Sequence, residues 1–206
     1  MSARFSTAAA LAGAVLFALG AGNASAQIKI GFSTGLTGPA ALASQWERWG
    51  VDEAVAEINA AGGVAGQKLE VIMVDNRCNP TEGANTARKL VQDKVSAIVG
   101  AHCSSATLAM MPIIAEAKIP LVTGVSSSPL ITTQSGAGGN GYMFRINPDD
   151  AMMASALVDY LAEKKIYKTL AILGEDSDFG RGGAQAFAPL AQKAGMTVLS
   201  TDFTPQ

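Results

Sequence analysis

Aromatic residues make up only 6% of this 206-residue chain and charged residues only 16%. With 49% hydrophobic residues, that scarcity of charge excludes a disordered segment, which requires low hydrophobicity and high net charge. Basic residues are not in excess either: 15 Lys and Arg stand against 17 Asp and Glu, a net charge of −2. No positive field exists to hold a phosphate backbone, so nucleic acid is not expected as a partner. Histidine occurs once, at His102, and cysteine twice, at Cys78 and Cys103. Zinc wants four ligands, and the missing ones would have to be carboxylates without any recognisable spacing, so no metal site is expected. No apolar run approaches the roughly 20 residues that span a bilayer.

The longest such run, Ala8 to Leu19, has a different meaning. It follows Arg4, the first charge in the chain, and precedes the small-residue triplet Ala24-Ser25-Ala26. Charged start, short apolar centre and small-residue cleavage site are the three parts of a secretory signal, expected here over residues 1–26. A membrane anchor is the alternative. Cleavage would leave 14 basic and 17 acidic residues, a charge of −3, on a chain starting at Gln27. In an oxidising compartment Cys78 and Cys103 are most simply a disulfide, with two free thiols or a reactive Cys beside His102 as the alternatives. Closing a loop of about 26 residues stabilises a fold by roughly 3.5 kcal/mol on the chain-entropy model.

From Gln27 onward, short apolar runs alternate with helix-period stretches, the pattern of βα units around a parallel sheet. Strands are expected over 28–33, 69–75, 97–101 and 119–123. Helices are expected from 44 to 61, from Pro80, and from a cap at Ser104 or Ser105. The inner face of the first helix reads as Val51, Ala54, Val55 and Ile58. After Leu130, residues 132–141 read as a Gly-rich surface loop. Gly136, Gly138 and Gly141 spell GxGxxG there, but an apolar strand follows where a dinucleotide site needs a helix, so no dinucleotide cofactor is expected. Asn147-Pro148 breaks the pattern, and a second βα series begins. That gives three expected parts: a signal at 1–26, a first lobe at 27–146, and the start of a second lobe at 147–206. Two strands do not make a stable sheet domain, so the chain reads as the N-terminal part of a longer protein.

Ligands of open α/β sheets bind beyond the carboxyl ends of the strands. Reading those ends in order yields Thr34 to Pro39, Asp75 to Cys78, His102-Cys103-Ser104-Ser105 and Gly124 to Pro129. Small hydroxyls and glycines converge on one edge, which suits a small anion such as a carboxylate. No catalytic set accompanies them. Gly124-Val125-Ser126-Ser127-Ser128 ends in Ser where a nucleophile elbow needs Gly. The chain is not expected to be an enzyme.

The residues Ile28-Lys29-Ile30-Gly31 through Leu36-Thr37-Gly38-Pro39, then Ala56-Glu57-Ile58-Asn59-Ala60-Ala61-Gly62-Gly63, carry a family likeness. Gly66-Gln67-Lys68-Leu69-Glu70-Val71 and Gly100-Ala101-His102-Cys103-Ser104-Ser105 carry it further. In this order the chain resembles the periplasmic substrate-binding proteins of branched-chain amino acid ABC transporters, over essentially all of 27–206.

The resemblance implies a type I binding-protein fold: two α/β lobes, each a mainly parallel sheet with helices on both faces, closing over a ligand, with the second lobe incomplete here. It implies a disulfide between Cys78 and Cys103. It assigns Ser104 to the ligand carboxylate, a backbone carbonyl to Val125, and a hydroxyl with its N–H to Ser127. Ser126, the neighbour in the same serine run, belongs to this candidate set. The usual first-loop aromatic matches Ala43, with Trp46 one turn further on, and the second-lobe aromatic matches Phe179. A pocket walled by Trp46 and Phe179 accepts an aliphatic side chain or an aromatic ring. The implied protein is a periplasmic monomer without a cofactor that captures a small carboxylate-bearing ligand, a branched-chain or other apolar amino acid, for a membrane permease. Alternatives are an aromatic-acid or amide-type solute, or a sensor built on the same module.

Overall fold

The computed structural model describes residues 27–165 and 167–205. The expected signal at 1–26 lies outside the described residues. Among the described residues seven strands and six helices alternate: β1 Ile28–Thr34, α1 Ala41–Ala60, β2 Leu69–Asp75, α2 Pro80–Gln92, β3 Ala97–Gly100, α3 Ser104–Ala117 and β4 Leu121–Thr123. The chain continues through α4 Pro129–Thr133, β5 Met143–Arg145, α5 Asp150–Lys164, β6 Thr169–Glu175, α6 Asp178–Lys193 and β7 Thr197–Thr204. Strands β1 to β5 form one parallel sheet in the order β2-β1-β3-β4-β5, while β6 and β7 pair in parallel as a second sheet.

Helices cover both faces of the five-stranded sheet, and the alternation of β1 proves it. A Cβ on Gly31 would meet Leu90 of α2, and the Ser33 hydroxyl lies 3.0 Å from that of Thr86 on the same helix. Thr34, one residue on, points the other way and donates to Glu47 of α1 at 2.7 Å. The main core lies under α2 and α3, where Ala87, Leu90, Ile98, Met110, Ile114 and Leu121 are fully buried. A smaller core of Val158, Ala191 and Met196 holds α5 and α6 against β6 and β7. Leu173 and Leu199 of that second sheet are 73% and 68% exposed.

The face expected to bury α1 is shallower than its sequence suggests. Val51 and Val55 are half-buried, Ile58 is exposed, and Ser44 is the helix's one buried residue among those described. The reason is position: α1 packs beside β2, an edge strand, where less sheet is available to cover it. Just before the expected surface loop, Pro129 starts the short helix α4, which takes in Thr132 and Thr133 of that loop, and Ile131 is buried in the main core.

Close approach of α2 to α3 depends on Gly83. A Cβ there would lie 2.8 Å from the carbonyl oxygen of Ala106 and 2.9 Å from its Cα. Those are backbone atoms that cannot swing aside. Alanine favours a helix interior over glycine by about 0.5–1 kcal/mol, whereas overpacking a close interface costs about 1–3 kcal/mol. The clash therefore wins, and Gly83→Ala is expected to lower the melting temperature by a few degrees. A variant melting at or above the wild type would show that the two helices separate without cost.

Candidate functional site

The carboxyl ends of β1, β3 and β4 open onto one cavity of about 280 Å³, closed on its far side by the loop after β6. On the first side stand Pro39, Ala40 and Ala43, then His102, Ser104 and Ser105, then Val125, Ser126 and Ser127. Glu175 at the end of β6, Ser177 at the cap of α6 and Phe179 in its first turn complete the lining. Among the described residues no Lys or Arg lines the cavity.

The loop after β1 owes its shape to Asp75. Its Oδ1 accepts from the N–H groups of Leu36 at 2.9 Å, Thr37 at 3.3 Å and Arg77 at 2.9 Å. Its Oδ2 accepts from the Thr37 hydroxyl at 2.5 Å. Burial raises the Asp75 pKa, but the Thr37 hydroxyl and the three backbone N–H groups outweigh it and hold the carboxyl below its ordinary value. A depressed folded pKa stabilises the fold above the unfolded pKa and loses that contribution as pH falls through the folded one. Asp75→Asn is therefore expected to melt below the wild type at pH 7. The gap should close as pH falls below about 3.9, the ordinary Asp value. A gap that persists unchanged in acid would rule out the carboxylate as its source.

Cys78 and Cys103 form a disulfide with a Cα–Cα distance of 5.3 Å, tying the loop after β2 to the start of α3. Asn76 braces the same turn: its Oδ1 accepts from the Cys78 N–H at 2.9 Å, and its Nδ2 donates to the Ser33 hydroxyl at 3.0 Å. Cys103 is thereby the cap residue of α3, where the serines after it were expected, and its side chain makes no capping hydrogen bond. The first-turn N–H groups of a helix have no intrahelical partner, and here they sit at the cavity.

Ser104 is 2% exposed, and its Oγ accepts from the Ser128 N–H at 3.2 Å. That contact uses the oxygen and leaves the hydroxyl proton for another acceptor. Ser126 lines the cavity too, but its hydroxyl is bonded to the carbonyls of Ala101 at 2.8 Å and His102 at 3.1 Å and lies 2.7 Å from that of Thr107. It ties the loop after β4 to the start of α3.

Val125 is 37% exposed, and its carbonyl accepts from Asn147 Nδ2 at 3.2 Å. Ser127 is buried beside Asp150, whose N–H donates to the Ser127 carbonyl at 2.9 Å. Burial pushes the Asp150 carboxyl up, more than the neighbouring Ser127 hydroxyl pulls it down. Arg145 braces this corner, donating to the Ser128 carbonyl at 3.2 Å and to Asp149 at 3.1 Å. The Ser105 hydroxyl accepts from the Asp178 N–H at 3.4 Å, a direct bond from α3 to the start of α6.

Of the residues singled out in the sequence, Ser104, Val125, Ser126, Ser127 and Phe179 come together around the cavity. Trp46 does not: it is 62% exposed and absent from the lining. It follows Ser44, the inward-facing residue of α1, by two positions, which is about 200° of helix rotation. Ala43 occupies the cavity wall instead. Sequence reasoning missed the pairing of His102 with Glu47, whose Nδ1 and Oε2 lie 3.2 Å apart. Glu47 sits mid-helix, 55 positions before His102, and no local pattern marks it.

A family model described as periplasmic binding protein matches residues 27–206. The chain belongs to the periplasmic binding protein family. The curated leucine-, isoleucine-, valine-, threonine- and alanine-binding protein of Pseudomonas aeruginosa is 31% identical over 195 residues, covering 95% of this chain and 50% of that protein. Among solved structures, the branched-chain amino acid transporter substrate binding protein LivJ of Streptococcus pneumoniae, in complex with isoleucine, is 30% identical with a TM-score of 0.76. The match covers 87% of this chain and 50% of LivJ. A solute binding protein of an ABC transporter from Rhodopseudomonas palustris, in complex with 3,4-dihydroxybenzoic acid, is 26% identical with a TM-score of 0.74 over 87% of this chain and 47% of its own.

This periplasmic binding protein thus spans about half the length of the curated relatives it matches. Its five-stranded parallel sheet with helices on both faces matches a lobe of the type I fold. Among the described residues no helix is long and apolar enough to cross a membrane.

Proposed function

We propose that the chain is part of an exported solute-binding protein that captures a small carboxylate-bearing ligand, a branched-chain or other apolar amino acid, and delivers it to an ABC permease. One observation carries the reading: the start of α3, with no side-chain cap, and the Ser104 hydroxyl meet Ser127 and Val125 around one cavity that, among the described residues, no Lys or Arg lines. Such a set holds an anion through neutral donors and the helix dipole rather than by ion pairing. Hydrogen bonds to a charged group contribute about 1.5–3 kcal/mol each, so three or four reach micromolar affinity after association costs. In this reading 27–146 is the first lobe, 147–206 begins the second, and residues 1–26 direct the protein to the periplasm.

An aromatic acid is the second reading. It is supported by Phe179 facing the small side chains of Pro39, Ala40 and Ala43, which leave room for a ring. Calorimetric titration of the full-length protein with leucine, isoleucine, valine and benzoate tests both. Saturable one-to-one binding by at least one of them is expected. If no amino acid or small organic acid binds, the transport reading fails.

A further inference from the structure

The carboxylate cradle leaves one polar pair beside the cavity unused. His102 lines the wall between the cradle and the small residues of the first loop. Its Nδ1 has no exposed surface and no aligned hydrogen bond, but it lies 3.2 Å from Glu47 Oε2. That carboxylate oxygen also accepts from the Thr34 hydroxyl at 2.7 Å, so it is anchored to β1. Both side chains are mostly buried, at 20% and 17% exposure.

A carboxylate beside one imidazole nitrogen favours the proton there and leaves the other nitrogen as an acceptor. With Nδ1 turned inward to Glu47, the nitrogen left for the cavity is Nε2. A lone-pair acceptor in a ligand cavity needs a donor, and a ligand without one strands it at a cost. A second anion on the ligand is disfavoured, because Glu47 and Glu175 are both nearby and, among the described residues, no Lys or Arg lines the cavity to balance them.

We propose that His102, oriented by Glu47, is a specificity-determining residue that accepts a hydrogen bond from a second polar group on the ligand. The cavity would then take small acids bearing one carboxylate and one separate hydrogen-bond donor, in preference to acids that carry the carboxylate alone. This rests on the cavity being the ligand site. Two donors share the required chemistry: the ammonium of an α-amino acid and the hydroxyl of an aromatic acid.

Two ligand pairs distinguish them in calorimetric titrations of the full-length protein. Leucine against 4-methylpentanoate isolates the ammonium, and 4-hydroxybenzoate against benzoate isolates the hydroxyl. In the wild type the donor-bearing member of at least one pair is expected to bind at least tenfold more tightly. His102→Phe should reduce that ratio to within about threefold of unity, while His102→Gln, which retains an acceptor, should keep part of it. Glu47→Gln leaves the imidazole in place but frees its tautomer, and should also lower the ratio, which keeps the test open if His102→Phe folds poorly.

The proposal is overturned if neither pair discriminates in the wild type, or if the ratio survives in both His102→Phe and Glu47→Gln. Binding of plain and donor-bearing acids alike would overturn the role of His102 and leave the transport reading standing. Binding of none of the four would instead count against the ligand site itself.

Discussion

Ser104→Ala is expected to weaken ligand binding by roughly 10- to 100-fold while leaving the fold intact. The substitution removes a buried hydroxyl whose oxygen is already held by the Ser128 N–H and whose proton is available to the cavity. A lost hydrogen bond to a charged group is worth about 1.5–3 kcal/mol, and each 1.4 kcal/mol is a factor of ten in affinity. Calorimetric titration of the full-length variant gives the ratio directly. Ser104→Thr keeps the hydroxyl and should retain most of the affinity. Ser126→Ala offers an informative contrast, because that hydroxyl is bonded to Ala101 and His102 carbonyls. It should lower stability first and affinity less. Unchanged affinity in Ser104→Ala would remove Ser104 from the binding set.

Replacing both cysteines by alanine should cost about 3.5 kcal/mol of stability, from the closure entropy of a loop spanning a separation of 25 residues. For a protein of this size each kcal/mol shifts the melting temperature by about 2–4 °C, so a fall of about 7–14 °C is expected. A reductant should lower the wild-type melting temperature similarly and leave the double variant where it was. The same change should loosen the cavity, since Cys103 is the residue from which α3 starts and Cys78, bonded to it, lines the cavity beside it. A melting temperature insensitive to both the substitutions and the reductant would show that the hydrogen bonds of Asn76 suffice to hold this corner.

Much of the scaffold was legible because its signals are local. Helix α2 starts at Pro80, as its sequence predicts, and Ala87 and Leu90 are buried on its inner face. The strand ends named from periodicity open onto one cavity, since parallel strands with short connections leave their carboxyl ends on the same edge. Features that depend on distant chain segments were less legible. The half-exposed face of α1 follows from its place beside an edge strand, and strand order is not encoded in the helix's own pattern. Trp46 looks like a pocket wall by its size and nearness to the first loop. Its rotation about the helix axis relative to Ser44 carries it outward.

The amino-acid sequence by itself determined the alternation of strands and helices, the parallel arrangement that follows from it, and the loops that carry small donors to one edge. These rest on the periods of apolar residues and on turn chemistry, which act over a few residues. Only the tertiary structure decided which of the clustered hydroxyls is spent on the protein's own carbonyls and which keeps a proton for the cavity. It also decided that Glu47 of α1 meets His102 after β3. Those outcomes depend on side chains brought within about 3 Å across the sheet, and such distances are set by how helices pack on strands rather than by spacing along the chain.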